Sequence, residues 1–280
     1  LIRLLYFQSM AISKILVTGA GGTIGGVLMQ EFSRLRLSAV PWQVEKWRPD
    51  ETGAIAQALS ESRAEIVFHL ALASQPRGLK DEAYIVNHQW PVELAKECQR
   101  RCIRLVFTST VMVYSPHQPG PYTETSPALP DSDYGRDKLM AENNILAEHP
   151  EAAIVRLGWQ IGNNPHGNQM LAQLHREHAK NGAIKASRKW YPACSPLIYT
   201  AQSLALLARS WQAKYAGQRL LLDANKGWTY YEICQALKAR YFPHWRICPE
   251  DSFVYDQRMR DTRLPHVGLG DFLPELAGSS

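Results

Sequence analysis

Lys14-Ile15-Leu16-Val17-Thr18 is a short apolar run that passes directly into Gly19-Ala20-Gly21-Gly22-Thr23-Ile24-Gly25-Gly26. A helical pattern follows, with Val27, Leu28, Phe32 and Leu35 on one side. No other stretch restricts the fold so tightly. Strand, glycine-rich turn and helix in immediate succession open a βα unit, the context in which a glycine motif points to phosphate. Gly19 lets the chain turn sharply, Gly22 lets backbone N–H groups approach a pyrophosphate, and Gly25 lets helix and strand pack closely. The helix N-terminus then offers unpaired N–H donors and a partial positive charge to an anion. The spacing is Gly-x-x-Gly-x-x-Gly rather than Gly-x-Gly-x-x-Gly. We expect Gly19, Gly21, Gly22, Thr23, Ile24 and Gly25 to form a dinucleotide site; a tight βα turn without a ligand is the plainer alternative.

The pattern repeats along the chain. Strand Ser38–Val40 is followed by Pro41, Trp42 and Gln43, where an acid accepting from a ribose 2′-OH would mark NAD(H). Its absence favours NADP(H) over NAD(H). Arg34, Arg36, Lys46 and Arg48 lie nearby, although a solvated basic surface explains these four equally well. A helix over about 52–62 and the buried strand Glu65–Leu70 complete another unit. Ala71 and Ala73 then supply small residues where the chain would pass a cofactor ribose. Helical stretches over about 79–86 and 89–100, with Asn87 between them, precede the strand Arg104–Thr108. Such alternation implies a parallel, doubly wound sheet with ligands at the carboxyl ends of its strands.

Thr108-Ser109-Thr110 stands at such an end. After a Pro-rich loop (119–130) comes Tyr134-Gly-Arg-Asp-Lys138, opening a helix through Leu139, Ile145 and Leu146. Residues four apart share one helix face, so Lys138 would lie beside Tyr134 and favour its phenolate. Strand Ala153–Leu157 leads to Gly158-Trp159, beyond which clean strands become fewer. We read residues 10–160 as the nucleotide-binding part, 161–196 and 223–280 as a smaller lobe, and 197–222 as a helix (about 201–214) and strand (218–222) returning to the sheet.

A formal charge of +5, with both signs interleaved, speaks against nucleic acid, and no apolar run of about 18 residues marks a membrane span. Five scattered cysteines (98, 102, 194, 234 and 248) suit a reducing, cytoplasmic compartment, and no zinc-site spacing accompanies Cys98 and Cys102, so no metal is expected. Residues 1–9 read as the remnant of an expression tag, with Met10 as the natural start.

These segments resemble the extended short-chain dehydrogenase/reductases over nearly the whole chain after Met10. The resemblance rests on Thr18 to Gly25, on His69-Leu70-Ala71-Leu72-Ala73 and on Tyr134-x-x-x-Lys138. It implies an α/β, Rossmann-type doubly wound parallel sheet with a smaller C-terminal substrate-binding lobe. It also implies catalysis by Tyr134 and Lys138, with Lys138 binding the nicotinamide ribose, and with a Ser or Thr four residues before the aromatic of a Val-Tyr pair. Counting back from Val113-Tyr114 selects Thr110.

Within the superfamily the likeness is to the dTDP-4-dehydrorhamnose reductases. Arg156-Leu157-Gly158-Trp159 is similar to an Arg-x-x-Trp segment whose Trp faces the sugar, and Ser195 to Tyr199 and Thr262-Arg263-Leu264 resemble two further segments. Trp159 and Arg263 (with Arg258 or Arg260) are thereby candidates for substrate, and Trp190 for packing on the sugar. Where those reductases carry Thr-Asp-Tyr-Val-Phe-Asp-Gly, this chain has Thr110-Val111-Met112-Val113-Tyr114-Ser115-Pro116, without either acid. The resemblance implies an NADP(H)-dependent reductase of a keto group on a sugar, with a nucleotide-linked sugar as the expected substrate, and it leaves a homodimer open. A nucleotide-sugar epimerase and a non-catalytic NADP-binding regulatory subunit, as in methionine adenosyltransferase, are the alternatives.

Overall fold

The strands β1 (Ile15–Thr18) and β3 (Ile66–His69) are buried along their whole length, as central strands covered on both faces must be, β4 (Arg104–Thr110) is buried after its first residue, and β2 (Ala39–Pro41) is a more exposed strand. The computed structural model describes residues 14–42, 47–51, 53–73, 80–211, 213–264 and 267–278. The tag reading at 1–9, Met10, Gln43, Lys46, Thr52 and Leu79 lie outside them. With β5 (Ala153–Leu157) and a later strand (Arg219–Leu222), these strands form one six-stranded parallel sheet. Before that last strand come β6 (Trp159–Ile161), β7 (Ile184–Ser187), β8 (Trp190–Tyr191) and β9 (Cys194–Pro196), so it is β10. The order is β10-β5-β4-β3-β1-β2. The chain leaves β1 for β2 on one side and places β3 on the other, so the crevice between the ends of β1 and β3 is the topological switch point where such sheets take ligands.

Side-chain alternation divides the core. Ile15, Val17, Ile66, Phe68 and Val106 face α1 (Thr23–Arg34) and a later helix, Leu197–Arg209. Leu16, Val67, Leu105, Phe107 and Ile154 face α2 (Ala54–Ser62) and the helices on the other side. Those are α3 (Glu82–Tyr84), α4 (Trp90–Arg100) and α5 (Asp133–Glu148). The two helical stretches expected around Asn87 are joined. A π-turn, Ile85–Gln89, links α3 to α4, and Asn87 inside it accepts from Ala73 N at 3.0 Å and donates to Ala73 O at 3.3 Å. The widened turn is how a helix can present that amide to the loop after β3.

The smaller lobe is built from α6 (Met170–Asn181), α8 (Tyr230–Tyr241) and α9 (Leu269–Phe272) around Met170, Leu174, Ile233, Leu237 and Trp245, with Leu197–Arg209 numbered α7. Three two-stranded parallel pairs support it: β6 with β9, β7 with β11 (Ile247–Glu250), and β8 with β12 (Tyr255–Asp256). α7 begins at Leu197, four residues before the expected start, since Pro196 fits the position just ahead of a helix, and it packs on α1. Asp223, one residue past β10, accepts from the backbone N–H groups of Cys194 and Asn225 at 2.9 Å and of Met259 at 2.8 Å. Burial pushes its carboxyl up to about 7 against those donors.

Candidate active site

Thr110 ends β4, and its Oγ1 accepts the Met112 N–H at 3.2 Å, capping a single 3₁₀ turn, Val111–Val113. Opposite it, Ser132 caps α5 by accepting from Gly135 N at 3.1 Å. A Cβ at Gly135 would overlap the Met112 carbonyl oxygen, so glycine lets the first turn of α5 press onto the turn after β4. Tyr134 is thereby brought to the side of the molecule where Thr110 ends β4.

Tyr134, Lys138 and Glu142 follow one another at intervals of four along the inner face of α5. Lys138 is only 3% exposed, its ammonium 3.9 Å from the centre of the Phe107 ring. Burial lowers it to about 7, with the Glu142 carboxylate opposing the shift. Tyr134 moves the other way. Burial raises the phenol to about 12, and the Thr110 hydroxyl offsets only part of this. The expectation that Lys138 draws the phenol below its ordinary value is not met: lost hydration of the phenolate raises it, and only the Thr110 hydroxyl opposes the rise. A phenol held up in this way keeps its proton at neutral pH.

These side chains open on a cavity of about 370 Å³ at the carboxyl ends of β3, β4 and β5. Ile24, Ala71, Thr110, Tyr134, Lys138 and Trp159 all line it. The glycine turn adjoins it through Ile24. Gly19 has φ +68°, and a Cβ there would lie 2.8 Å from Ala71 N, so β1 and β3 close up at the switch point. Thr18 Oγ1 helps by accepting from Leu70 N at 3.2 Å and Ala71 N at 3.3 Å. Gly22 N donates to Gly19 O at 2.9 Å, and a Cβ at Gly25 would overlap that same carbonyl. α1 begins without a side-chain cap, and Gly21 has open space around it. An uncapped helix start beside an open glycine fits a pyrophosphate. Thr23 Oγ1 accepts from Asn168 N at 3.0 Å, which ties the loop after β6 to this turn. Ala73 is held by Asn87 as described and does not itself line the cavity.

Arg263 is not brought to the cavity. Its guanidinium grips Asp261 at 2.9 and 2.6 Å and reaches Gln218 Oε1 at 3.0 Å and Arg219 O at 2.7 Å, at the amino end of β10. Arg258 is likewise engaged by Asp256 and Lys226 O, and Arg34 by Glu31. Trp159 stacks with Trp190 and Tyr230 at 6.3 and 6.1 Å, and Trp190 lines the cavity too. Gln160, Asn168 and Gln257 line it without having been anticipated. Gln160 carried a signal, a polar residue directly after Trp159 on a buried strand, whereas Asn168 and Gln257 sit in loops without one. Among the described residues no group of three His, Cys, Asp or Glu side chains is placed to hold a metal ion, and no helix is long and apolar enough to cross a membrane.

The family model of the RmlD substrate binding domain matches residues 13–239. The dTDP-4-dehydrorhamnose reductase of Mycobacterium tuberculosis (strain CDC 1551 / Oshkosh) is 30% identical over 221 residues, 76% of this chain and 70% of that protein. The dTDP-4-keto-6-deoxy-D-glucose reductase of Streptomyces niveus is 28% identical over 165 residues, 58% of this chain and 57% of that protein. The solved dTDP-4-dehydrorhamnose reductase of Bacillus anthracis in complex with NADP shares the fold, with a TM-score of 0.78 at 16% identity over 96% of this chain and 100% of that one. The chain belongs to the RmlD substrate binding domain family, in the dTDP-4-dehydrorhamnose reductase-like branch of the extended short-chain dehydrogenase/reductases.

Proposed function

We propose that this chain is an NAD(P)H-dependent reductase of a keto group on a nucleotide-linked sugar, with Tyr134 as the proton donor. One observation carries the reading: Thr110, Tyr134 and Lys138 line a single cavity beside an open glycine turn. The reductase relatives support the sugar ketone. A nicotinamide cofactor, when bound, supplies the hydride. The Tyr134 phenol, kept protonated by burial, gives its proton to the ketone oxygen as negative charge develops there. Thr110 already accepts from Met112 N, so its own proton remains to hold that oxygen. Lys138 binds the cofactor ribose and, in its ammonium form, steadies the phenolate left behind. Val111 and Met112 replace polar residues of related reductases, and no carboxylate lines the cavity among the described residues, which supports reduction without elimination. Pro41 ends β2 and Trp42 follows it, where an acid would favour NAD(H), which supports NADP(H).

The test is NADPH oxidation with a panel of dTDP- and UDP-linked 4-ketosugars. Tyr134→Phe is expected to keep cofactor affinity and to lower kcat by at least about 100-fold. Wild-type rates in that variant would end the proposed mechanism, and a substrate converted without net NADPH consumption would make the protein an epimerase.

A further inference from the structure

Three buried polar atoms on residues lining the cavity have no hydrogen-bond partner among the described residues: Ser109 Oγ, Gln160 Oε1 and Trp190 Nε1. A buried polar group left unpaired costs roughly 1–3 kcal/mol, and native proteins keep few of them. Other buried polar atoms, such as Nε1 of Trp42, Trp90 and Trp245, also stand unpaired, but these three belong to residues that share one cavity, where a bound ligand can supply their partners. Gln160 is the most informative. It is 5% exposed, and its Nε2 donates to Gly158 O at 3.0 Å, which fixes the amide oxygen at the other side. Oε1 is therefore an acceptor in need of a donor. Trp190 Nε1 can only donate, and its ring is packed against Tyr230 at 4.6 Å and Trp159 at 6.3 Å. Ser109 adds a hydroxyl that can do either. Phosphate or carboxylate oxygens would satisfy Trp190 but never Gln160. Hydroxyl groups satisfy all three.

We propose that Gln160 is a specificity-determining residue whose Oε1 accepts a hydrogen bond from a hydroxyl on the sugar ring, while Trp190 Nε1 donates to an oxygen of the same ring. The preferred substrate is then a ketosugar that keeps its ring hydroxyls rather than a deoxygenated one. The inference rests on the ketosugar reading above. A site built to pair with a hydroxyl discriminates strongly against an analogue lacking it, because its own polar groups are then stranded.

The experiment measures kcat/KM with NADPH for dTDP-4-keto-6-deoxy-D-glucose, which has hydroxyls at C2 and C3, and for its 2,3-dideoxy counterpart. Wild type is expected to prefer the hydroxylated sugar by about 100-fold or more. Gln160→Met, of similar length but without the amide, should reduce that ratio at least tenfold. A merely loosened fold would lower both rates together and leave the ratio in place. No preference in wild type, or a ratio unchanged in Gln160→Met, overturns the inference while the ketosugar reading stands. Absence of NADPH oxidation with either sugar overturns the ketosugar reading itself, and the inference with it.

Discussion

Arg156 closes on Glu142 with a double hydrogen bond, Nε to Oε1 at 2.9 Å and Nη2 to Oε2 at 2.6 Å, although the two side chains are 3% and 0% exposed. Arg219 adds a third contact to Glu142 at 3.0 Å, and Arg156 Nη1 donates to the Tyr114 hydroxyl at 2.7 Å. The pair fastens α5 to β5 one helical turn beyond Lys138, and so sets the depth at which Lys138 and Tyr134 meet the cavity. Charges this deep are tolerable only as a pair. Glu142→Gln should therefore cost about 3–5 kcal/mol and lower Tm by roughly 10 °C, read by calorimetry. Glu142→Leu combined with Arg156→Met should recover much of that loss, because the two fully buried charges leave together and Arg219, at 32% exposure, can turn to solvent.

Lys138 makes stability depend on pH. In the native protein it titrates near 7 rather than 10.5, because burial strips water from the ammonium. Between those values the unfolded chain binds the proton that the native chain has released, so stability rises with pH across the window. The destabilisation is complete below about 7 and gone above about 10.5. Lys138→Met lacks it at every pH. Without cofactor, the variant should melt several °C above wild type at pH 6.5, with the gap closing by pH 10.5. A gap of constant size would show that packing, not charge, separates the two.

Thr110→Val tests the hydroxyl apart from the shape of the side chain. The substitution removes a donor to the ketone oxygen and leaves Met112 N–H without its acceptor. Turnover should fall about 100-fold, a loss of the size seen for one well-placed donor. The lost cap should cost about 1 kcal/mol. The Tyr134 phenol, pushed up to about 12, should put no basic limb on the wild-type reduction profile below pH 11. A limb near pH 9 in steady-state kinetics would mean that the donor is another group, that loss of the Lys138 charge limits turnover, or that bound cofactor moves Tyr134 by far more than burial does.

Much of this architecture is legible in local pattern, and the failures share a cause. β1, the glycine turn and α1 announce themselves because turn chemistry and periodicity agree within a dozen residues. The interval from Tyr134 to Lys138 gives their shared face, yet the direction of the phenol's shift depends on burial, which no spacing reveals. Arg263 stands away from the cavity because Asp261, two positions earlier, takes its guanidinium, a pairing that a short motif match does not reveal. The pairings of β6 with β9 and of β7 with β11 join distant segments and leave no periodic trace. Gln160 sits on one of those pairs, so its exposure to the cavity was invisible even though its polarity was plain.

The glycine turn allows fold and ligand to be separated. At Gly25 an added Cβ would overlap the Gly19 carbonyl, so Gly25→Ala must disturb the contact between α1 and the turn whether or not anything binds. Gly21 differs: nothing lies within 4 Å of a Cβ built there, and its φ is outside the left-handed region. For the protein alone, Gly21→Ala should be neutral or slightly stabilising, since alanine restricts the unfolded chain by roughly 0.4–1 kcal/mol. A pyrophosphate resting on the turn would meet that methyl group. Gly21→Ala should then keep Tm within about 2 °C of wild type without cofactor, on the scale of 2–4 °C per kcal/mol. Its affinity for NADPH, read by fluorescence titration, should nonetheless fall at least tenfold. Unchanged affinity would mean that the open side of the turn faces solvent and that the dinucleotide lies elsewhere, whereas Gly25→Ala, by losing stability and binding together, could never tell the two apart.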